Sequence, residues 1–159
     1  MTKEETSSPT VSTEGLLLSC NISAQEERDV ATMDIPGAFM QTDINDTVYV
    51  RRSGPLANLP TKIDKKNYEK FVVEEGGKPV IYVRLKKALY GTLNASLILR
   101  KDLMADLKGW GFAINPYDEC VANNTVNGKQ CTILWHVEDL KISHVDSKVV
   151  DSVFGKLGD

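Results

Sequence analysis

The stretch CTILWHVEDLKI, residues 131–142, decides how this chain is read. Ile133, Trp135 and Val137 alternate with Thr132, Leu134 and His136, the period-two pattern of a strand. Two carboxylates, Glu138 and Asp139, then stand side by side before the apolar pattern resumes at Leu140 and Ile142. Inside a strand such neighbours point to opposite faces. At a tight turn both can reach solvent or a shared ion. The run therefore reads as two strands folded back on each other across Glu138-Asp139. Just upstream, Asn127-Gly128 ahead of KQCTILWHV signals another hairpin, with a type I′ turn. Three consecutive antiparallel strands thus place the acid pair at a bend.

Outward from this core, TEGLLLSCNISAQEE suits a helix with Thr13 as its N-cap. RDVATMDI reads as a strand that halts at Pro36-Gly37, followed by a short helical turn through Ala38, Phe39 and Met40 and a strand at DTVYVRR. Residues 53–79 contain Pro55, Pro60, Gly76, Gly77 and Pro79, and read as a long connection with one or two local elements. VIYVRL is the next strand. A helix is expected from about Asn94, a natural N-cap, to Lys108, with Leu99, Leu103 and Leu107 as a core stripe. Gly109 or Gly111 can end it.

A length of 159 residues bounds the chain to about one domain. With 42% hydrophobic and 26% charged residues it is globular rather than disordered. A net charge of -3 lacks the general basic footprint of a nucleic-acid binder, although Arg51-Arg52, Lys65-Lys66, Arg84 with Lys86-Lys87, and Arg100-Lys101 form local clusters. Cys20, Cys120 and Cys131 are odd in number and not closely spaced, which fits a reducing compartment. MTKEETSSPT has no secretory pattern, and no run approaches the ~20 apolar residues of a membrane span. The expectation is an intracellular protein that is not secreted and has no membrane contact.

Acidic residues are common in turns, so Glu138 and Asp139 can be turn residues and nothing more. Asp34, however, ends another apolar strand, VATMD, just before the tight IPG. Carboxylates at the ends of two sheet strands make an oxygen cage suited to Mg²⁺. Two such ions about 3.5–4 Å apart would activate a 3′-hydroxyl and steady a leaving pyrophosphate. Cys131, His136, Asp139 and His144 match no common zinc spacing, and no cysteine has an activating neighbourhood. Walker-type and dinucleotide glycine motifs are absent from the sequence.

Four blocks occur in order: RDVATMDIPGAFMQTDINDTVYV, YVRLKKALYGTLNASL, GFAINPYDECVAN and TILWHVEDLKISH. Together they resemble the reverse transcriptase domain of copia-type LTR retrotransposons, from about Ser8 to His144. The resemblance implies an α+β fold: a polymerase palm-like antiparallel sheet backed by helices, with partial fingers. It implies an RNA-directed DNA polymerase that uses two Mg²⁺ ions held by Asp34, Glu138 and Asp139. Phe39 would lie under the incoming sugar, whereas without the resemblance it reads as a core aromatic. Tyr90 and Gly91 would sit near the incoming base, while Asn94 and Ser96 depart from the glutamine and proline common there. Arg84, Lys86 and Lys87 are the cations available to nucleic-acid phosphates; as a solvated strand end they need no such role. The partners implied are an RNA template, a DNA primer, deoxynucleoside triphosphates and the rest of a retrotransposon polyprotein.

Two departures bear on activity. The family pattern is aromatic, any residue, Asp, Asp, whereas this chain has His136, Val137, Glu138, Asp139. Mg²⁺ demands near-ideal octahedral geometry, and one extra methylene moves the first carboxylate onto a different arc. A polymerase weakened or dead at this step is expected, with a non-catalytic remnant that binds nucleic acid as the alternative. The organisation expected is a polar segment over residues 1–13, a partial fingers and palm domain over 14–150, and a tail over 151–159. It reads as part of a larger polyprotein or of a decaying element.

Overall fold

A computed structural model describes residues 8–44, 47–89, 92 and 95–158. Helix α1, Thr13–Gln25, leads into strand β1, Asp29–Asp34, and a one-turn helix α2, Ala38–Gln41. Strand β2, Tyr49–Ser53, precedes a series of short turns that includes helices α3, Leu59–Ile63, and α4, Lys65–Tyr68. Strands β3, Val72–Glu75, and β4, Lys78–Arg84, follow. The chain then forms helix α5, Ala95–Gly109, strands β5, Ala113–Ile114, β6, Val121–Val126, β7, Lys129–His136, and β8, Asp139–His144, and closes with helix α6, Ser147–Gly158.

The strands make two antiparallel sheets, one ordered β1-β8-β7-β6-β5 and one ordered β2-β4-β3. This is the α+β, palm-like arrangement expected from the sequence. The β6–β7 hairpin turns at Asn127 and Gly128 with φ of +52° and +74°, as a type I′ turn requires. The β7–β8 hairpin turns one residue earlier than expected. His136 pairs with Asp139, so Val137 and Glu138 form the loop and Asp139 already belongs to β8.

Alternation sorts the five-stranded sheet into two faces. Cys131, Ile133, Trp135, Leu140 and Ile142 face back, where they meet Leu103 and Leu107 of α5 and Val150 and Val153 of α6. The stripe Leu99, Leu103, Leu107 is buried as its spacing implies. Helix α5 ends at Gly109, and Gly111 at φ +87° lets the Phe112 amide return to the Leu107 carbonyl. The expected tail, residues 151–159, begins inside α6, whose Val153 is core. Asn94 lies outside the described residues.

The front face is polar and is crossed by α1, in which only Ser23 is buried. Ser12 caps this helix, its Oγ accepting from the Gly15 amide, so Thr13 is the first helical residue rather than the cap. At the other end Glu27 adopts φ +51°, and the Arg28 amide bonds back to the Ser23 carbonyl, which turns the chain into β1. The second sheet buries Val80 and Ile81 of β4 beside Ala57, within a broken helical run that replaces the long connection expected there. Among the described residues no helix is long and apolar enough to cross a membrane.

Leu107 is 0% exposed at the centre of the back layer. Leu107→Ala is expected to lower the unfolding free energy by about 2–5 kcal/mol. An earlier urea midpoint with an unchanged slope would register the loss.

Candidate functional site

The register of β1 against β8 sets Asp34 directly opposite Asp139, and that of β7 against β8 sets His136 opposite Asp139. Asp34, Asp139 and His136 therefore form one row across the front face, and all three are exposed. The ladder continues one step beyond, where the Ile35 amide donates to the Glu138 carbonyl at 3.2 Å. Two acids far apart in sequence thus become cross-strand neighbours. Like charges directly opposite each other destabilise a sheet pair. No ion pair or hydrogen bond from a described residue offsets them.

Glu138 sits in the bend next to Asp139, half-buried. Among the described residues no group of three or more His, Cys, Asp or Glu side chains gathers as a metal cluster. The register sets the Asp34 and Asp139 residues opposite each other, and carboxylate oxygens at two strand ends suit a hard cation such as Mg²⁺. The bend itself is strained: Val137 has φ +60° and Glu138 does not. Positive φ at the first loop residue only is the pattern of a type II′ turn, a position suited to glycine. A β-branched residue there is held against its own preference.

A groove of about 790 Å³ opens in front of these acids, walled by Thr10, Thr13, Leu16 and Cys20 on one side and by Thr32 and Leu134 on the sheet. The wall is α1, and polar contacts hold it. Lys141 of β8, opposite Thr32, is 9% exposed and donates from Nζ to Ser19 Oγ at 2.9 Å and Ser23 Oγ at 3.1 Å. Burial pushes the Lys141 pKa down, Cys20 opposes that shift, and Arg28 adds to it. Arg28 itself donates to Thr132 Oγ1 at 3.1 Å and pairs with Glu26 at 2.9 Å. At the start of the helix Asp118 accepts from the Ser12 amide at 2.9 Å and from Ser12 Oγ at 2.8 Å.

Phe39 is half-buried in α2, which Gly37 opens at φ +65° just past Asp34. Arg84 ends β4 opposite Tyr49, and Lys86 is exposed. Lys87 pairs with Asp43 at 2.8 Å. These cations lie on the link between the second sheet and α2, where the Ala88 amide bonds the Thr42 carbonyl. Tyr90 and Gly91 lie outside the described residues. His144 is buried and contacts the Val126 and Asp146 carbonyls, while Cys131 is in the back core, so the unmatched Cys/His spacing corresponds to no shared site.

A family model described as reverse transcriptase (RNA-dependent DNA polymerase) matches residues 2–158. The chain belongs to that family. Comparison with curated proteins and with solved structures finds no match. A reverse transcriptase domain binds nucleic acid and nucleotides. Sequence reasoning passed over Lys141, Arg28 and Asp118. The usable signal was Lys141 itself, a cation between the apolar residues Leu140 and Ile142.

Two measurements test this geometry. Cys120 and Cys131 are buried, and desolvation raises both thiols, Cys131 to about 11, whereas Cys20 is exposed in the groove wall. A maleimide should label one thiol of the folded chain and all 3 after denaturation. For Asp118, desolvation works to raise the carboxyl, but the Ser12 and Cys120 amides and the Ser12 hydroxyl together hold it lower. The charged form is thus favoured in the fold, so the contribution is whole above the ordinary carboxylate range and fades as pH falls below about 4. Asp118→Asn should cost about 1–3 kcal/mol near neutral pH, and acid titration of stability should show the gap closing.

Proposed function

We propose that this chain is the palm, with part of the fingers, of a copia-type retrotransposon reverse transcriptase acting inside the cell on an RNA template and a DNA primer. Residues 14–150 form that unit in this reading, and Asp34, Glu138 and Asp139 face the reaction. The observation that carries it is the direct cross-strand opposition of Asp34 and Asp139 at the mouth of the front groove.

The chemistry follows from what each residue does. Asp34 and Asp139 would hold Mg²⁺ between two strand ends, where no described residue otherwise offsets the like-charge pair. Mg²⁺ held there supplies charge stabilisation to the attacking and leaving oxygens of nucleotidyl transfer. The backbone ladder through Ile35 and Glu138 fixes the separation of the two acids. Phe39 flanks the incoming sugar, and Tyr90 and Gly91 flank the base. Arg84, Lys86 and Lys87 lie toward the strand entering from the second sheet. The Thr10 and Thr13 hydroxyls in the groove wall suit phosphate oxygens. Glu138 places its carboxylate one methylene further out than an aspartate at that turn position.

A second reading is favoured by one observation. No third acid completes a cluster with Asp34 and Asp139 among the described residues. In this reading the domain grips a primer–template without extending it.

Primer extension on an RNA template with Mg²⁺ separates the two. Glu138→Asp is expected to raise the extension rate by roughly a hundredfold, the scale of a ~1 Å correction in position. Asp34→Asn and Asp139→Asn should abolish it. Extension that survives both asparagine variants would overturn the acid assignment, and a Glu138→Asp chain that binds but never extends would establish the second reading. Mg²⁺ should also raise the melting temperature of the parent chain but not that of Asp34→Asn, by mass action on the folded state.

A further inference from the structure

Lys141 is a buried ammonium whose two hydrogen-bond partners are neutral hydroxyls, Ser19 Oγ and Ser23 Oγ. No carboxylate lies within ion-pair distance of it among the described residues. An ammonium has three protons to donate, and a buried charge is costly unless an opposite charge meets it. The nearest other cation, Arg28, already has Glu26. Among the described residues, the front face therefore contains one unneutralised cation and, one row away, two unneutralised acids.

The placement is specific. Lys141 lines the same groove as Asp34, His136 and Asp139. It lies two residues along β8 from Asp139, about 7 Å at the usual strand rise, and opposite Thr32, two residues before Asp34. Phe39 lies beyond Asp34 in the other direction along the chain, on α2. If the incoming nucleotide is on the Phe39 side, the strand already made lies on the Lys141 side. We infer that Lys141 takes a backbone phosphate of the primer strand, so that the groove binds the growing end through a cation behind the acid pair. This rests on the polymerase reading above. The hydroxyls of Ser19 and Ser23 then serve as the resting partners of the amine.

The test is equilibrium binding of a DNA primer annealed to an RNA template, followed by fluorescence anisotropy across a salt series. Lys141→Met is close to volume-conserving and removes a buried charge, so it should fold; labelling at Cys20 alone verifies this. It should bind about tenfold more weakly, the effect of one charge-assisted contact. Its slope of log affinity against log salt should also fall by about one. Lys141→Arg should keep the parent slope, and so should the double variant Ser19→Ala, Ser23→Ala. A Lys141→Met slope equal to the parent's overturns the inference, as does a serine double variant that behaves like Lys141→Met, because the lysine would then only pin α1. In the Glu138→Asp background, a raised nucleotide KM with unchanged primer affinity would assign the phosphate to the triphosphate and overturn it too. A parent chain that binds no primer–template at all would sink the polymerase reading and this one together.

Discussion

The antiparallel pairing of β1 with β8 is the constraint on which the rest of the molecule depends. It joins the first strand of the main sheet to the last, and its register ends at Asp34 opposite Asp139. Backbone hydrogen bonds, not side-chain attraction, hold these two acids together. Their mutual repulsion costs about 0.2–1 kcal/mol on the scale of cross-strand pairs, which a ladder of six residue pairs readily outweighs. The sheet can therefore present a concentrated negative charge that no arrangement of free side chains would keep.

The two faces of that sheet divide the work. The back is a close-packed apolar layer of Trp135, Ile133, Ile142 and the leucines of α5, and it supplies the rigidity. The front carries α1 on hydroxyls, one lysine and one arginine, with Leu17 and Leu18 of the helix 63% and 60% exposed. A helix seated this way adds little hydrophobic stabilisation. Its position shapes the groove in front of the acids, and the N-terminal end is tied to the β5–β6 connection by Asp118. In the proposed polymerase reading, the chemistry thus sits on the less tightly packed side of a well-packed scaffold.

Much of this was legible in the residues, for identifiable reasons. Asn127-Gly128 admits few alternatives to a type I′ hairpin, and the four-residue spacing of Leu99, Leu103 and Leu107 admits few to a buried helix face. Asp34 and the 138–139 pair each stood where an apolar run ended. The exact bend was not legible, because Val137 has no turn propensity and only tertiary pairing holds it at positive φ. The series of short helices between Gly54 and Phe71 was hidden by its prolines and its lack of period. The seat of α1 was hidden most deeply. Three consecutive leucines, Leu16 to Leu18, cannot all face inward, and the contacts that position the helix are made by serines whose partner, Lys141, lies more than a hundred residues away.

That separation has a consequence for how the molecule comes into being. Strands β6, β7 and β8 meet through loops of two residues and can zip together within microseconds of being available. Strand β1 must wait for a partner made at the far end of the chain, and closing so long a loop is entropically slow. During synthesis at about 5–20 residues per second, the first aspartate exists for several seconds before the second has emerged from the ribosome. The acid pair can form only once β8 has been made, and any truncation that removes β8 leaves β1 as an unpaired, aggregation-prone edge.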